Sequence, residues 1–173
     1  NVSNALAALA VGLACNLSLM DIRDGLESLQ PVHGRLRSVQ SPQGVTVIDD
    51  CYNANPGSVR AAIDLLAACP GRRTLVLGGM RELGANSSVL HREVGEYALA
   101  AGIDQLWGVG SELEVCVNAF GANGRYFEDR AAAVSALQGR FGAGDTVLVK
   151  GSRSAGMEQV LQALLPDLQA QEH

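Results

Sequence analysis

Lysine is almost missing from this sequence: Lys150 is the only one, and every other fixed cation is arginine. With 18 acidic residues against 13 basic ones the net charge is -5, which excludes nucleic acid as the main partner. No apolar run is long enough to span a bilayer. The N-terminus lacks the basic region that precedes a signal peptide's apolar stretch. The four cysteines, Cys15, Cys51, Cys69 and Cys116, form no CxxC pair. That spacing excludes a zinc site and fits a reducing cytoplasm. There is no Gly-Lys-Ser/Thr phosphate loop, no GxGxxG fingerprint, no internal repeat and no low-complexity tract.

What is present is enough apolar sequence for a full core. The chain has 173 residues, 47% hydrophobic and 18% charged, which suits one domain and a short appendage. The stretch from Val45 to Ile63 is the most informative. Val45 to Ile48 reads as a buried strand, and Asp49 and Asp50 follow where it ends. Tyr52-Asn-Ala-Asn-Pro-Gly is a loop of turn formers, with Pro56 placed for a helix's first turn. Val59, Ala62, Ile63 and Leu66 then recur at helical spacing. In open α/β sheets ligands bind outside the carboxyl ends of the strands. That edge would hold Asp50, Tyr52, Asn53 and Asn55, a polar density greater than a turn requires.

The remainder follows the same alternation. Residues 1–30 hold two helical patterns. The first is Ala-rich and almost wholly apolar, so it is expected to be buried on most sides; the second is capped by Ser18. The chain begins inside a helical pattern, and two short helices do not make a stable unit. A preceding domain is therefore expected, with residues 31–173 as a separate domain. Pro31 to Leu36 is a linker containing Arg35. Strands flanking Ser41-Pro-Gln-Gly44 form a hairpin. Further strands are expected over 73–77, 105–109, 125–127 and 146–149, with helices near 56–69, 87–101, 111–119, 129–138 and 154–165. The pattern implies an α/β fold: a Rossmann-like, mostly parallel, doubly wound sheet with an N-terminal hairpin strand, preceded by two helices from another domain.

Two more strand ends carry polar residues. One is Gly78-Gly-Met-Arg-Glu-Leu-Gly84, where glycine permits close approach of backbone to a ligand; Glu82 there reads as a solvated carboxylate. His91, one turn into the next helix, reads as a hydrogen-bonded structural residue or a polar contact at the same edge. The other end is Lys150-Gly-Ser-Arg153, two cations and a serine ahead of a helix, suited to an anionic group.

Asp50-Cys-Tyr-Asn-Ala-Asn-Pro-Gly-Ser, Leu77-Gly-Gly-Met-Arg-Glu-Leu-Gly and Lys150-Gly-Ser-Arg resemble, in order and spacing, the C-terminal motifs of the Mur ligases. Asn1-Val-Ser-Asn-Ala-Leu-Ala-Ala resembles the end of their central domain. The resemblance covers nearly the whole chain, and Tyr-Asn-Ala-Asn-Pro points to the members that add D-alanyl-D-alanine to UDP-N-acetylmuramoyl-tripeptide. It implies ATP and Mg2+, with the phosphate loop and most metal ligands in the central domain of the same protein, and an inactive fragment. It implies that Asn4 meets adenine, Arg35 the phosphates and Asp50 the ribose. Tyr52, Asn53 and Asn55 would shape the loop between nucleotide and dipeptide. Lys150, Ser152 and Arg153 would face the dipeptide and the acyl phosphate, with Lys150 and Arg153 as the catalytic pair. One position departs from the pattern: the family usually carries Asp where this chain has Gly79. The reading from another class is a stand-alone nucleotide- or anion-binding domain without catalysis.

Overall fold

The computed structural model describes residues 2–29 and 33–166. One compact unit holds the first two helices, and a second holds everything from residue 33 on. The boundary expected at residues 30 and 31 lies outside the described residues.

In the first unit, α1 (Val2–Ala14) packs on α2 (Leu19–Glu27). Ser18 caps α2 by accepting a hydrogen bond from the Asp21 N–H, as its position suggested. A side chain on Gly12 would collide with Ile22, so the glycine permits the close crossing. The expectation that α1 is buried on most sides fails here. Gly12 is its only buried residue among those described, and Leu6, Val11 and Leu13 are exposed, because one short partner helix covers only a narrow stripe.

The second unit is built on six strands: β1 (Arg37–Gln40), β2 (Thr46–Asp50), β3 (Arg73–Gly78), β4 (Gln105–Val109), β5 (Gly124–Phe127) and β6 (Thr146–Lys150). Their order is β1-β2-β6-β3-β4-β5, parallel throughout except for the β1–β2 hairpin. Helices α3 (Pro56–Ala67), α4 (Ser87–Ala100) and α5 (Glu114–Phe120) cover one face; α6 (Arg130–Leu137) and α7 (Glu158–Leu164) cover the other. Successive side chains of a strand point to opposite faces. Leu75, Leu77 and Leu148 therefore pack under α3–α5, while Val76, Val147 and Val149 pack under α6 and α7. A strand buried on both sides needs a continuous apolar run, which is why these strands were legible.

The helix expected over 154–165 is divided. A 3-10 turn at Arg153–Ala155 ends at Gly156 in the left-handed region, φ +58, before α7 begins. The left-handed backbone at residue 156 is what favours glycine there, and the Arg130 guanidinium lies over the space a side chain would enter. Among the described residues no helix is long and apolar enough to cross a membrane.

Candidate functional site

The site lies along the carboxyl edge of the sheet and has two parts. The first grows from register. Asp50 ends β2, Lys150 ends the neighbouring β6, and the two are paired directly. Lys150 Nζ donates to Asp50 Oδ2 at 2.5 Å and to the Asn53 carbonyl at 2.9 Å. Lys150 is only 2% exposed, so its ammonium is committed to these two partners. Burial is the larger effect and leaves the Asp50 carboxyl raised above its ordinary value, while the Lys150 hydrogen bond and charge pull it back down. The ammonium thus opposes the protonation that burial favours, and Asp50 keeps the only lysine from being an isolated buried cation.

Asp49 points to the other side of β2 and is buried. It accepts from the Gly34 N–H at 2.8 Å and the Cys51 N–H at 3.2 Å, and it pairs with His33 at 3.2 Å. The Tyr52 N–H donates to the Gly34 carbonyl, and the Leu36 backbone reaches Asp50. Two adjacent carboxylates therefore fasten the entering chain across the end of β2, with Leu36 held in the left-handed region at φ +53. The result is an arginine aimed at an aromatic ring. Arg35 lies 4.4 Å above the exposed Tyr52 ring, and Arg153 lies 5.8 Å from the same ring. A phenol flanked by two guanidinium groups is a surface for an anion that also carries an aromatic or sugar face.

The structure thus brings together Arg35, Asp50, Tyr52, the Asn53 backbone, Lys150 and Arg153. Asn55 sits lower, where its side chain caps α3 in a reciprocal box with Ser58. Ser152 is buried; its N–H donates to the Gly79 carbonyl and its hydroxyl meets that of Ser154. Among the described residues Arg153 makes no ion pair with Glu158; its neighbour is Tyr52. Asn4 is exposed on α1 in the other unit. Burial raises the thiol of Cys51 and pushes that of Cys116 up to about 12, so neither is a nucleophile.

Of the second part, only the strand end at 78–84 was read from the sequence. A cavity of about 200 Å³ opens between the ends of β3, β4 and β5 and the 3-10 turn after β6. Its walls carry charges of both signs, notably Arg81, Glu112, Glu128 and Arg130. Arg81 spans it, donating to Ser154 Oγ at 3.0 Å and pairing with Glu112 at 3.5 Å. Arg130 braces the far side through the Ala155 carbonyl and Gln159. His91 supports the floor. It is fully buried; Nε2 accepts from the Met80 N–H at 3.1 Å and Nδ1 donates to the Ser87 carbonyl at 2.8 Å. These partners select a neutral ring with its proton on Nδ1. Glu82 is exposed and takes no part. The available signal was two glycines, Gly79 and Gly110, at the ends of adjacent strands, followed by a glutamate two residues after the second.

Comparison with known proteins places these features. Residues 34–153 match the family model described as "Mur ligase, glutamate ligase domain". The UDP-N-acetylmuramoyl-tripeptide--D-alanyl-D-alanine ligase of Escherichia coli is 45% identical over 166 residues, covering 95% of this chain and 36% of that protein. A crystal structure of MurF from Acinetobacter baumannii superposes with a TM-score of 0.86 at 34% identity, covering 95% of this chain and 37% of that one. The MurF ligase of Thermotoga maritima, solved in complex with ADP, gives a TM-score of 0.80 at 31% identity, covering 94% and 37%. The chain therefore spans little more than a third of the length of these relatives.

Proposed function

Because this chain belongs to the Mur ligase family, we propose that it is the C-terminal part of an ATP-dependent amide ligase that adds D-alanyl-D-alanine to UDP-N-acetylmuramoyl-tripeptide. The observation that carries this reading is the division of one sheet edge into a cationic aromatic surface and a small cavity of mixed charge. A ligation needs both: a place for a nucleotide and a place for a zwitterionic acceptor. In such a reaction ATP converts the tripeptide carboxylate into an acyl phosphate, and the dipeptide amine displaces phosphate from it.

Tyr52 and Arg35 fit the nucleotide, the ring meeting a flat face and the guanidinium meeting phosphate. A carboxylate has roughly four lone-pair sites, so Asp50 can accept from a ribose hydroxyl while still bound to Lys150. Lys150 touches neither substrate in this reading; it is a positioning residue that fixes Asp50 and the Asn53 loop. Asn53 and Asn55 hold the loop that separates nucleotide from dipeptide. Arg153, with Ser152 setting its loop, stands at the border of the two parts, near Tyr52 and just ahead of Ser154 and Ala155 in the cavity wall, and meets the dipeptide carboxylate from there. The cavity, at about 200 Å³, is below the roughly 300–1,000 Å³ of sites for drug-sized ligands. It suits a short peptide rather than a nucleotide.

The exposed leucines of α1 and α2 fit the end of a central ATPase domain, from which Asn4 would reach adenine. The Mg2+ that such a ligase uses is assigned mainly to ligands of its central domain, as the resemblance implies; among the described residues no three acidic, histidine or cysteine side chains group as a metal site. The reaction is placed in the cytoplasm, where its nucleotide substrates are.

The test is a ligation assay on the intact protein. ADP release should require both UDP-N-acetylmuramoyl-tripeptide and D-alanyl-D-alanine, and single amino acids should not replace the dipeptide. The 173-residue chain alone should release none. Turnover by this chain alone, or no dipeptide-dependent turnover by the intact protein, contradicts the reading; tight nucleotide binding without turnover by the intact protein favours the stand-alone binding domain.

A further inference from the structure

Glu112 occupies an unusual seat. Gly79 follows the end of β3 and Gly110 follows the end of β4. A Cβ built on Gly79 would lie 3.4 Å from the Glu112 carboxylate carbon and from Oε2, and one built on Gly110 would lie 3.3 Å from Oε2. The carboxylate therefore rests over two positions without side chains. An aspartate at position 79, the residue the resembling motif usually carries, would project its own carboxylate into the same space. The missing side chain at 79 and the carboxylate at 112 are two halves of one arrangement.

The other acids of the cavity are differently placed. Asp129 caps α6 by accepting from the Ala132 N–H, and Glu128 is exposed at the rim. Among the described residues Glu112 has a single charged partner, Arg81, at 3.5 Å through Oε1, which leaves Oε2 facing the glycines. A carboxylate with an unused oxygen, beside a guanidinium, is the complement of a zwitterion with its ammonium and carboxylate at opposite ends.

We infer that Glu112 binds the ammonium group of the incoming dipeptide, supplying from β4's loop the carboxylate that Gly79 cannot. This rests on the ligase reading above. Glu112 orients the nitrogen, while Arg81 and Arg153 take the opposite end of the dipeptide.

The experiment is steady-state kinetics of the intact enzyme with Glu112→Gln, Gly79→Asp, Glu112→Ala and the double variant Gly79→Asp/Glu112→Ala. Gln keeps the shape, and the side chain is 34% exposed, so folding is not at risk. Loss of a charged hydrogen bond should raise the dipeptide KM about 10- to 100-fold, with the ATP KM within about twofold. Gly79→Asp alone should impair dipeptide use by crowding two carboxylates. The double variant should have a lower dipeptide KM than Glu112→Ala, a coupling of opposite sign to the single effects. An unchanged dipeptide KM in Glu112→Gln, equal rises in both KM values, or a double variant no better than Glu112→Ala overturns the inference. If wild type does not ligate the dipeptide at all, the ligase reading and this inference fall together; wild-type turnover with an insensitive Glu112→Gln removes the inference alone.

Discussion

The two parts of the sheet edge hold similar charges in opposite ways. At the ends of β2 and β6, the partly buried Asp50 and the buried Lys150 are satisfied by each other, and Lys150 also by the Asn53 carbonyl. At the ends of β3, β4 and β5, Arg81 and Glu112 are partly exposed and lie 3.5 Å apart across an open cavity. The difference shows that a charge at a strand's carboxyl end is not by itself a ligand contact. A buried, saturated pair acts on the loops it ties, whereas an exposed, loosely held pair can exchange its partner for a substrate.

The largest effect is expected where the closed pair is opened. Lys150→Met leaves the Asp50 carboxyl buried without its cation and releases the Asn53 loop. Removing one partner of a buried pair costs about 3–5 kcal/mol. Urea unfolding of the chain, followed by fluorescence of the fully buried Trp107, should show that loss. Adding Asp50→Asn should recover part of it, because the orphaned acid is gone. A cost near zero would mean that the pair is no more closed than the cavity pair.

On the cavity side, structure should matter below the charges rather than in them. His91→Leu leaves the Met80 N–H buried without an acceptor, which costs about 1–3 kcal/mol. Glu112→Gln, by contrast, should leave the same unfolding curve almost unmoved. Equal destabilisation by the two substitutions would erase the distinction between floor and wall. A smaller effect, about 1 kcal/mol, is expected for Asn55→Ala, which removes the cap of α3 without touching either charged pair.

The smallest effect is a control far from the edge. The Arg73 hydrogen bond lowers the Asp104 pKa, against a smaller opposing push from burial. A depressed carboxyl pKa gives stability that is present above the unfolded value of about 3.9 and lost as the pH falls through the lower folded value. Asp104→Asn should flatten that acid limb and change stability at pH 7 only modestly, since the pair is partly exposed and screened by solvent. An acid limb unaltered in the variant would assign the loss to another carboxyl.

Most of the fold was legible because both faces of the sheet are buried. The runs at 45–48, 73–77 and 146–149 admit few other structures, and the glycine and proline punctuation between them marks the connections. The division of the last helix was not legible, since one glycine inside a helical pattern does not reveal that Gly156 adopts the left-handed conformation that separates the 3-10 turn from α7. At the site, residue types and their edge were readable from the motifs, but burial was not. Lys150 reads in sequence as a cation waiting for an anion, and only the β2–β6 register reveals that Asp50 already supplies one. Glu112 was not singled out, because its seat is formed by two glycines that follow different strands and meet only in the sheet.

The central claim is that the edge is divided between nucleotide and acceptor. The most direct measurement is the pair of KM values for ATP and D-alanyl-D-alanine in the intact enzyme carrying either Tyr52→Ala or Arg81→Gln. Tyr52→Ala should raise the ATP KM severalfold, since a ring flanked by cations contributes about 0.5–2 kcal/mol, and leave the dipeptide KM near wild type. Arg81→Gln should do the reverse. If both substitutions raise the same KM, or if each raises both equally, the two parts serve a single ligand and the account is contradicted.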